Sequence, residues 1–445
     1  MTTHSVYRRA HMAVLLLLVC VLLVACGQTP QGQQGQPGQR GQVVVAWHTL
    51  SGAQEQVLLD LVDEFNRANP DGITVVPEHR AVDALHADVL AGIERKSLPA
   101  LVLASPMQAA IYQQRGALAA LNDYIADPAE SVGWNAADRA DLYPFILKAG
   151  RIPNGQIVGI PFGGIVRVML FNRDWLKTLN LDDAPTDWEH FGASCNAATD
   201  HTKGTLCFGI QPTNITFEQF LAAYGGQVAT DDMSVLQVST PAAIASMNTL
   251  ASFVRANQAY RVTTLRQSRD DFATARVLYS FDWSNGLLDV ADSVKKRAEF
   301  DWGIGLLPGD GRKVTTKYSA PLWVMTRAPA SPNPGREKAA WLFIRWLTSP
   351  AQTAHWSAQT NELPARLSAI NILGAKQPLS PNQMTLLRDI APLARPDPMV
   401  SGWRCIENTL TTSLRQILDG QLVTPTLQLT QAIGQPQLAQ DCSEQ

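Results

Sequence analysis

An α/β fold in two lobes is the class that the sequence predicts, on three observations. After residue 42 the chain runs strand, helix, strand, helix, strand by its apolar patterning, the order that wraps helices around a parallel sheet. A second unit of the same kind begins near residue 126. Finally, about 400 residues follow residue 42, and with 46% hydrophobic and 17% charged content over the whole chain they exceed what one compact core holds.

The elements follow in order. Val43-Val44-Val45-Ala46-Trp47 is a continuous apolar run, as in strands buried on both faces. Ser51 with Gln54 three residues on forms a capping box, and Val57, Leu58, Leu61, Val62 and Phe65 recur at helical spacing until Asn69-Pro70 stops the helix. Strands over 73–76 and 98–103 flank a helix over 82–96. Asn154-Gly155 between Arg151-Ile152 and 157–160 reads as a tight hairpin, followed by a buried strand over 166–171 that turns into a helix at 172–176. Thr186 with Glu189 predicts a second capping box, opening a helix that carries Cys195, and Cys207 lies on the next strand, 206–210. Further strands are expected over 275–281, 302–307 and 322–325, and helices over 337–347 and 405–418.

The first residues set Arg8 and Arg9 ahead of an apolar run from Met12 to Ala25, which is a secretion leader. The run is shorter than the roughly 18 to 20 residues that cross a hydrocarbon core. It ends at Leu23-Val24-Ala25-Cys26, matching a lipobox, so Cys26 is the expected lipidated N-terminus. Residues 27–42 are almost only Gly, Gln and Pro and form a flexible tether. Loss of the leader removes two arginines from 36 Lys and Arg against 39 Asp and Glu, leaving a net charge of −5 and no basic field for nucleic acid. Four cysteines remain, Cys195, Cys207, Cys405 and Cys442, and two disulfides are expected in an oxidising compartment. Three pairings are open; Cys195 with Cys207 and Cys405 with Cys442 are the local ones. No C-x-x-C spacing supports a metal site.

The order of several motifs resembles the family 1 extracellular solute-binding proteins, the class that includes the maltose- and glycerol-phosphate-binding proteins of ABC importers. The pieces are Phe65-Asn66 before Pro70, Gly116-Ala117-Leu118, Leu121-Asn122-Asp123-Tyr124, Gly159-Ile160-Pro161, Met169 to Leu176, Pro185 to Glu189, Trp302 to Pro308, and Ala339 to Pro350. The resemblance implies a periplasmic-binding-protein type II-like fold, with lobes joined by several crossover strands and a ligand in the cleft. Residues 43–125 with 280–325 then form the N-terminal lobe, and 126–279 with 326–445 the C-terminal lobe. Hinges fall near 122–126, 275–280 and 324–327. It further implies a monomer that closes on a sugar or polyol and presents it to the permease subunits of an ABC importer, extracytoplasmic and held to the membrane through Cys26, with no cofactor.

Open α/β sheets bind ligands beyond the carboxyl ends of their strands, which selects Trp47 and His48, Ser105 to Gln108, and the loop holding Gly163. Sugars expose apolar ring faces edged by hydroxyls, so aromatic platforms beside fixed polar groups are sought. The resemblance puts a stacking tryptophan at Trp283, and Asp282 next to it can accept hydroxyl hydrogens. Trp403, Trp323 and the segment from Thr213 to Phe217 complete the candidate walls. Trp175, Trp341 and Trp346 sit among apolar neighbours at helical spacing and are assigned to the core. A secreted carbohydrate-active enzyme is the rival class, but the chain lacks a G-x-S-x-G elbow, an H-E-x-x-H helix and a Walker A loop. A solute-sensing lipoprotein without a transport role would carry the same fold and leader.

Overall fold

The computed structural model describes residues 41–445 except Asp182, residues 328–332 and residues 443–445. The leader, the lipobox with Cys26 and the tether up to residue 40 lie outside the described residues. The first strands are β1 (Val43–His48), β2 (Thr74–His79), β3 (Leu101–Ala104), β4 (Gly159–Ile160), β5 (Ile165–Asn172) and β6 (Leu206–Ile210). They are followed by β7 (Ala259–Arg261), β8 (Val277–Trp283), β9 (Trp302–Gly305), β10 (Thr316–Ser319), β11 (Leu322–Met325) and β12 (Ala394–Pro396).

Two sheets divide these strands, one per lobe. The first has the order β2-β1-β3-β11-β4, with β1 parallel to both β2 and β3 and with β11 antiparallel to β3 and β4. The second has the order β12-β10-β5-β8-β6-β7, with β9 also paired to β5. The fold is thus the expected two-lobed α/β architecture. The helix Ala53–Ala68 buries Val57, Leu58, Leu61, Val62 and Phe65 against the first sheet. Its end is tied to β2 by Asn66, whose side chain exchanges two hydrogen bonds with the Val75 backbone. One core runs from the first sheet across to one face of the second, through Val166, Val168 and Tyr318. Another fills the opposite face of the second sheet with Phe191, Phe208, Phe220, Tyr279 and Phe281. Cys195 bonds Cys207, joining the helix Trp188–Ala198 to β6, and Cys405 bonds Cys442 across 37 residues. The local pairing is the one that forms.

Several expectations are corrected. Ser51 does not cap its helix: the preceding turn is made by Gly52 at φ 58°, and Gln54 is drawn away to Glu362 instead. Asp187, not Thr186, caps the helix Trp188–Ala198 by accepting from the His190 amide, while the Thr186 carbonyl is occupied by the Gly309 and Asp310 amides.

The chain crosses between the sheets three times. It passes from β4 to β5 through Pro161 to Gly164, from β10 to β11 through Ala320-Pro321, and back into the second sheet at Ala394. None of these coincides with the expected hinges. Asn122–Ala126 is a short helix, residues 277–280 are paired on both sides inside the second sheet, and β11 already lies within the first. The partition of the chain also differs from the expected boundaries. Residues 280–283 and Trp302–Gly305 run in the second sheet, whereas the helices Pro334–Leu347 and Pro350–Thr360 pack on β1, β11 and the helix Ala53–Ala68.

Candidate functional site

Side chains from distant parts of the chain converge on the β4–β5 crossing. Tyr318, the last residue but one of β10, donates its hydroxyl hydrogen to the Gly163 carbonyl at 2.6 Å, pinning one crossing to another. Only a glycine fits at 163, because a Cβ there would lie 2.4 Å from Nε1 of Trp356 and 2.8 Å from a carboxylate oxygen of Glu362. Glu362 accepts from Trp356 Nε1 at 2.9 Å and from Gln54 Nε2 at 2.6 Å. Burial pushes its carboxyl above the ordinary range, against the pull of those two donors. His48 is buried at the end of β1, edge-on to His79, and burial lowers its pKa despite nearby Glu55.

Four residues beyond Gly163 the second lobe presents Arg167, so the two sets lie within about 14 Å of each other along the chain. Arg167 is 3% exposed, its Nε lacks a hydrogen-bond partner, and its guanidinium forms no ion pair with any described residue. Burial lowers its pKa to about 10, partly offset by Asp282. Opposite it on β8 stands half-buried Trp283, with the guanidinium carbon 5.7 Å from the ring centroid. Carrying the β5–β10 register on by one residue sets Lys317 beside Arg167 on the same face.

Lys317 meets the contrary condition. Its ammonium is 2.9 Å from Glu218, 2.5 Å from Asp397 and 3.9 Å from Glu407, with the Trp403 ring at 5.9 Å. Burial opposes the charge, but these carboxylates outweigh it and hold the ammonium protonated well above its ordinary range. The row across the sheet end thus holds one fully paired cation and one unpaired cation beside an indole.

The expected site residues divide accordingly. Gly163 lies in the β4–β5 crossing, Trp283 stands opposite Arg167 on the strand that follows it, and His48 ends β1 in the first sheet. Trp47 is half-buried, donates to Glu78 at 3.0 Å and carries Arg80 over its ring at 4.5 Å. Ser105 and Gln108 form the capping box of the helix Pro106–Gln114, so their polar groups serve each other's backbone. Thr213 precedes the helix Asn214–Ala223 without capping it, at the carboxyl end of β6. Phe217 and Trp323 are wholly buried, Phe217 in the second core and Trp323 in the first. Asp282 is also buried and ion-paired to Arg269 at 2.5 Å, on the side of β8 away from Trp283. Trp403 opens the helix Trp403–Leu418 against Lys317. Sequence reasoning missed Arg167, Tyr318, Gln54, Trp356 and Glu362. Among the described residues no group of three or more His, Cys, Asp or Glu is placed to hold a metal ion, and no helix is long and apolar enough to cross a membrane.

Residues 60–380 match the family described as bacterial extracellular solute-binding protein. The sn-glycerol-3-phosphate-binding periplasmic protein UgpB of Rhizobium meliloti (strain 1021) is 24% identical over 297 residues, which span 62% of this chain and 65% of the relative. Its counterpart in Salmonella typhimurium is 22% identical over 346 residues, 73% of this chain and 75% of the relative. Among solved structures, the cyclic alpha-maltosyl-1,6-maltose binding protein from Arthrobacter globiformis superposes with a TM-score of 0.75 at 18% identity, covering 89% of this chain and 99% of that one. UgpB from Mycobacterium tuberculosis in complex with glycerophosphocholine does so with 0.66 at 20% identity, covering 90% and 99%. At such identities these structures establish a shared fold.

Proposed function

The chain belongs to the bacterial extracellular solute-binding proteins, and from that premise we propose that it is the lipid-anchored capture component of an ABC importer, closing its lobes on a carbohydrate or polyol. The observation that carries the reading is the pair Arg167 and Trp283 at the sheet end beside the β4–β5 crossing. An indole offers a face to the apolar side of a polyol or sugar. A buried guanidinium with an unpartnered Nε and no ion pair among the described residues is costly unless an anion meets it, and its planar fork suits phosphate. A phosphate-bearing polyol is therefore the favoured solute, in keeping with the glycerol phosphate and glycerophosphocholine named for the relatives. Glu362 and Gln54 supply polar groups from the other lobe.

Three covalent crossings join the lobes through short segments, a connection of the kind about which lobes close on a ligand. Thermal-shift screening against sugars, polyols and their phosphates tests this, because a ligand of the folded state raises its melting temperature. A phosphorylated polyol is expected to give the largest shift. Trp283→Ala and Arg167→Met are each expected to abolish that shift while the unliganded melting temperature holds, or rises for Arg167→Met, since an unpaired buried charge is removed. A shift retained in both variants would remove the site from consideration. For the anchor, supported by Leu23-Val24-Ala25-Cys26, Cys26→Ser should move the protein from the membrane fraction to the soluble one; an unchanged distribution would contradict lipidation there.

A further inference from the structure

Late in the sequence the chain comes back to the boundary between the lobes. After the helix Val423–Gln437, the segment from Leu438 to Cys442 folds over the start of the helix Trp403–Leu418, where Cys442 bonds Cys405. Close packing fixes its course: a Cβ on Gly402 would lie 1.6 Å from the Gln437 carbonyl oxygen, and Leu438 is buried in the second core. Ser401 is wholly buried and donates its hydroxyl hydrogen to the Gln440 carbonyl at 2.9 Å. The same oxygen accepts from Nε2 of Gln114, the last residue of the helix Pro106–Gln114 in the first lobe, at 3.0 Å. Next to Gln114, Arg115 reaches Asp441 of the returning segment at 3.5 Å. The receiving helix is held in turn by Tyr112, which is buried and stacks on His86 of the helix Val82–Glu94.

We propose that residues 438–442 are a strap that raises the share of unliganded molecules whose lobes are together, and that the Cys405–Cys442 bond keeps the strap in place. A segment beyond the last helix frays unless it is tied down, and a disulfide that closes the loop around both late helices removes that freedom. A hydroxyl has a single hydrogen. With the Gln440 carbonyl taking it, the lone pairs of Ser401 are turned toward Gln114. Release of the strap therefore loosens both contacts at once: Asp441 leaves Arg115, and the Ser401 hydroxyl rotates without a fixed acceptor. Both contacts lie outside the three covalent crossings, so they bias the angle between the lobes and not the path of the chain. A solute that needs the lobes together binds more tightly in proportion to the share already so arranged. That effect on affinity rests on the capture reading above, whereas the hold on the unliganded lobes does not.

Small-angle scattering of the unliganded protein tests the strap without any solute. Gln114→Ala with Arg115→Ala removes both contacts from the first-lobe side and leaves the disulfide and both late helices intact. It should enlarge the radius of gyration while the melting temperature holds, a combination that a merely structural role for the late helices would not produce. Cys405→Ser with Cys442→Ser should enlarge the radius too, with a lower melting temperature. A wild-type radius in the Gln114 and Arg115 variant would overturn the proposal, and expansion in that variant alone would remove the disulfide from it. In calorimetric titration with sn-glycerol 3-phosphate, the Gln114 and Arg115 variant should bind about fivefold more weakly than wild type, the worth of one or two such hydrogen bonds. Equal or tighter binding by the variant would also overturn the proposal. No binding by wild type would count against the solute reading, and the radii would then decide the strap by themselves.

Discussion

Arg167 and Lys317 lie side by side on neighbouring strands; three carboxylates ring the Lys317 ammonium, whereas Arg167 makes no ion pair among the described residues and has only the field of Asp282. The excess of acid around Lys317 has a consequence for pH. Burial raises the Glu407 carboxyl to about 7, against Lys317 and Arg404, with Asp397 and Glu218 adding to the rise. A carboxyl whose folded pKa exceeds its unfolded value stabilises the fold fully below the unfolded pKa, and that contribution is lost as pH climbs through about 7. Glu407→Gln keeps an acceptor for Asn214 Nδ2, now at 3.1 Å, and removes the titration. Urea unfolding should therefore show wild type losing stability between pH 5 and pH 8 relative to the variant, with the variant the more stable at pH 8; parallel profiles would refute the assignment. Little of this was legible beforehand. Trp283 stood out because the family resemblance puts a stacking tryptophan there, but Arg167 sits within the apolar run of β5, where nothing in the local pattern marks it. Gln54 and Glu362 are 308 positions apart, a contact that no local pattern encodes. Phe217 and Trp323 were misplaced because an aromatic at a strand end or a helix start looks the same whether it faces a cleft or a core.

At the scale of elements, apolar periodicity found the early strands and helices because each buries a regular stripe or a whole strand. Caps shifted where a tertiary contact competed: Gln54 found a carboxylate across the lobe, and Asp187 outranked Thr186 as an acceptor for the first-turn amides. The crossings were harder to locate, since β4 is two residues long and its link to β5 carries no turn signature beyond Gly163-Gly164. The closeness of Gly163 to Trp356 and Glu362 makes that link a sensitive element. Gly163→Ala should cost about 1–3 kcal/mol by overpacking, because Trp356 is itself wedged against Phe162 at 4.4 Å and has nowhere to move. A urea midpoint equal to wild type would show that the crossing yields without strain.

For the molecule as a whole, two sheets were foreseeable from length and from the restart of the α/β pattern, while the division of the chain between them was not. Helices late in the sequence return to the first sheet, a long-range choice set by burial against β1 and β11. The lobes touch away from the crossings where Gln114 donates to Ser401 at 3.0 Å and Arg115 lies 3.5 Å from Asp441. These two contacts are polar and partly exposed, the kind that exchanges as lobes turn. Small-angle X-ray scattering, with and without the solute that gives the largest thermal shift, tests capture between lobes most directly. The radius of gyration should fall on saturation in wild type and stay unchanged in Trp283→Ala. An unchanged radius in wild type at saturating solute would contradict capture between lobes.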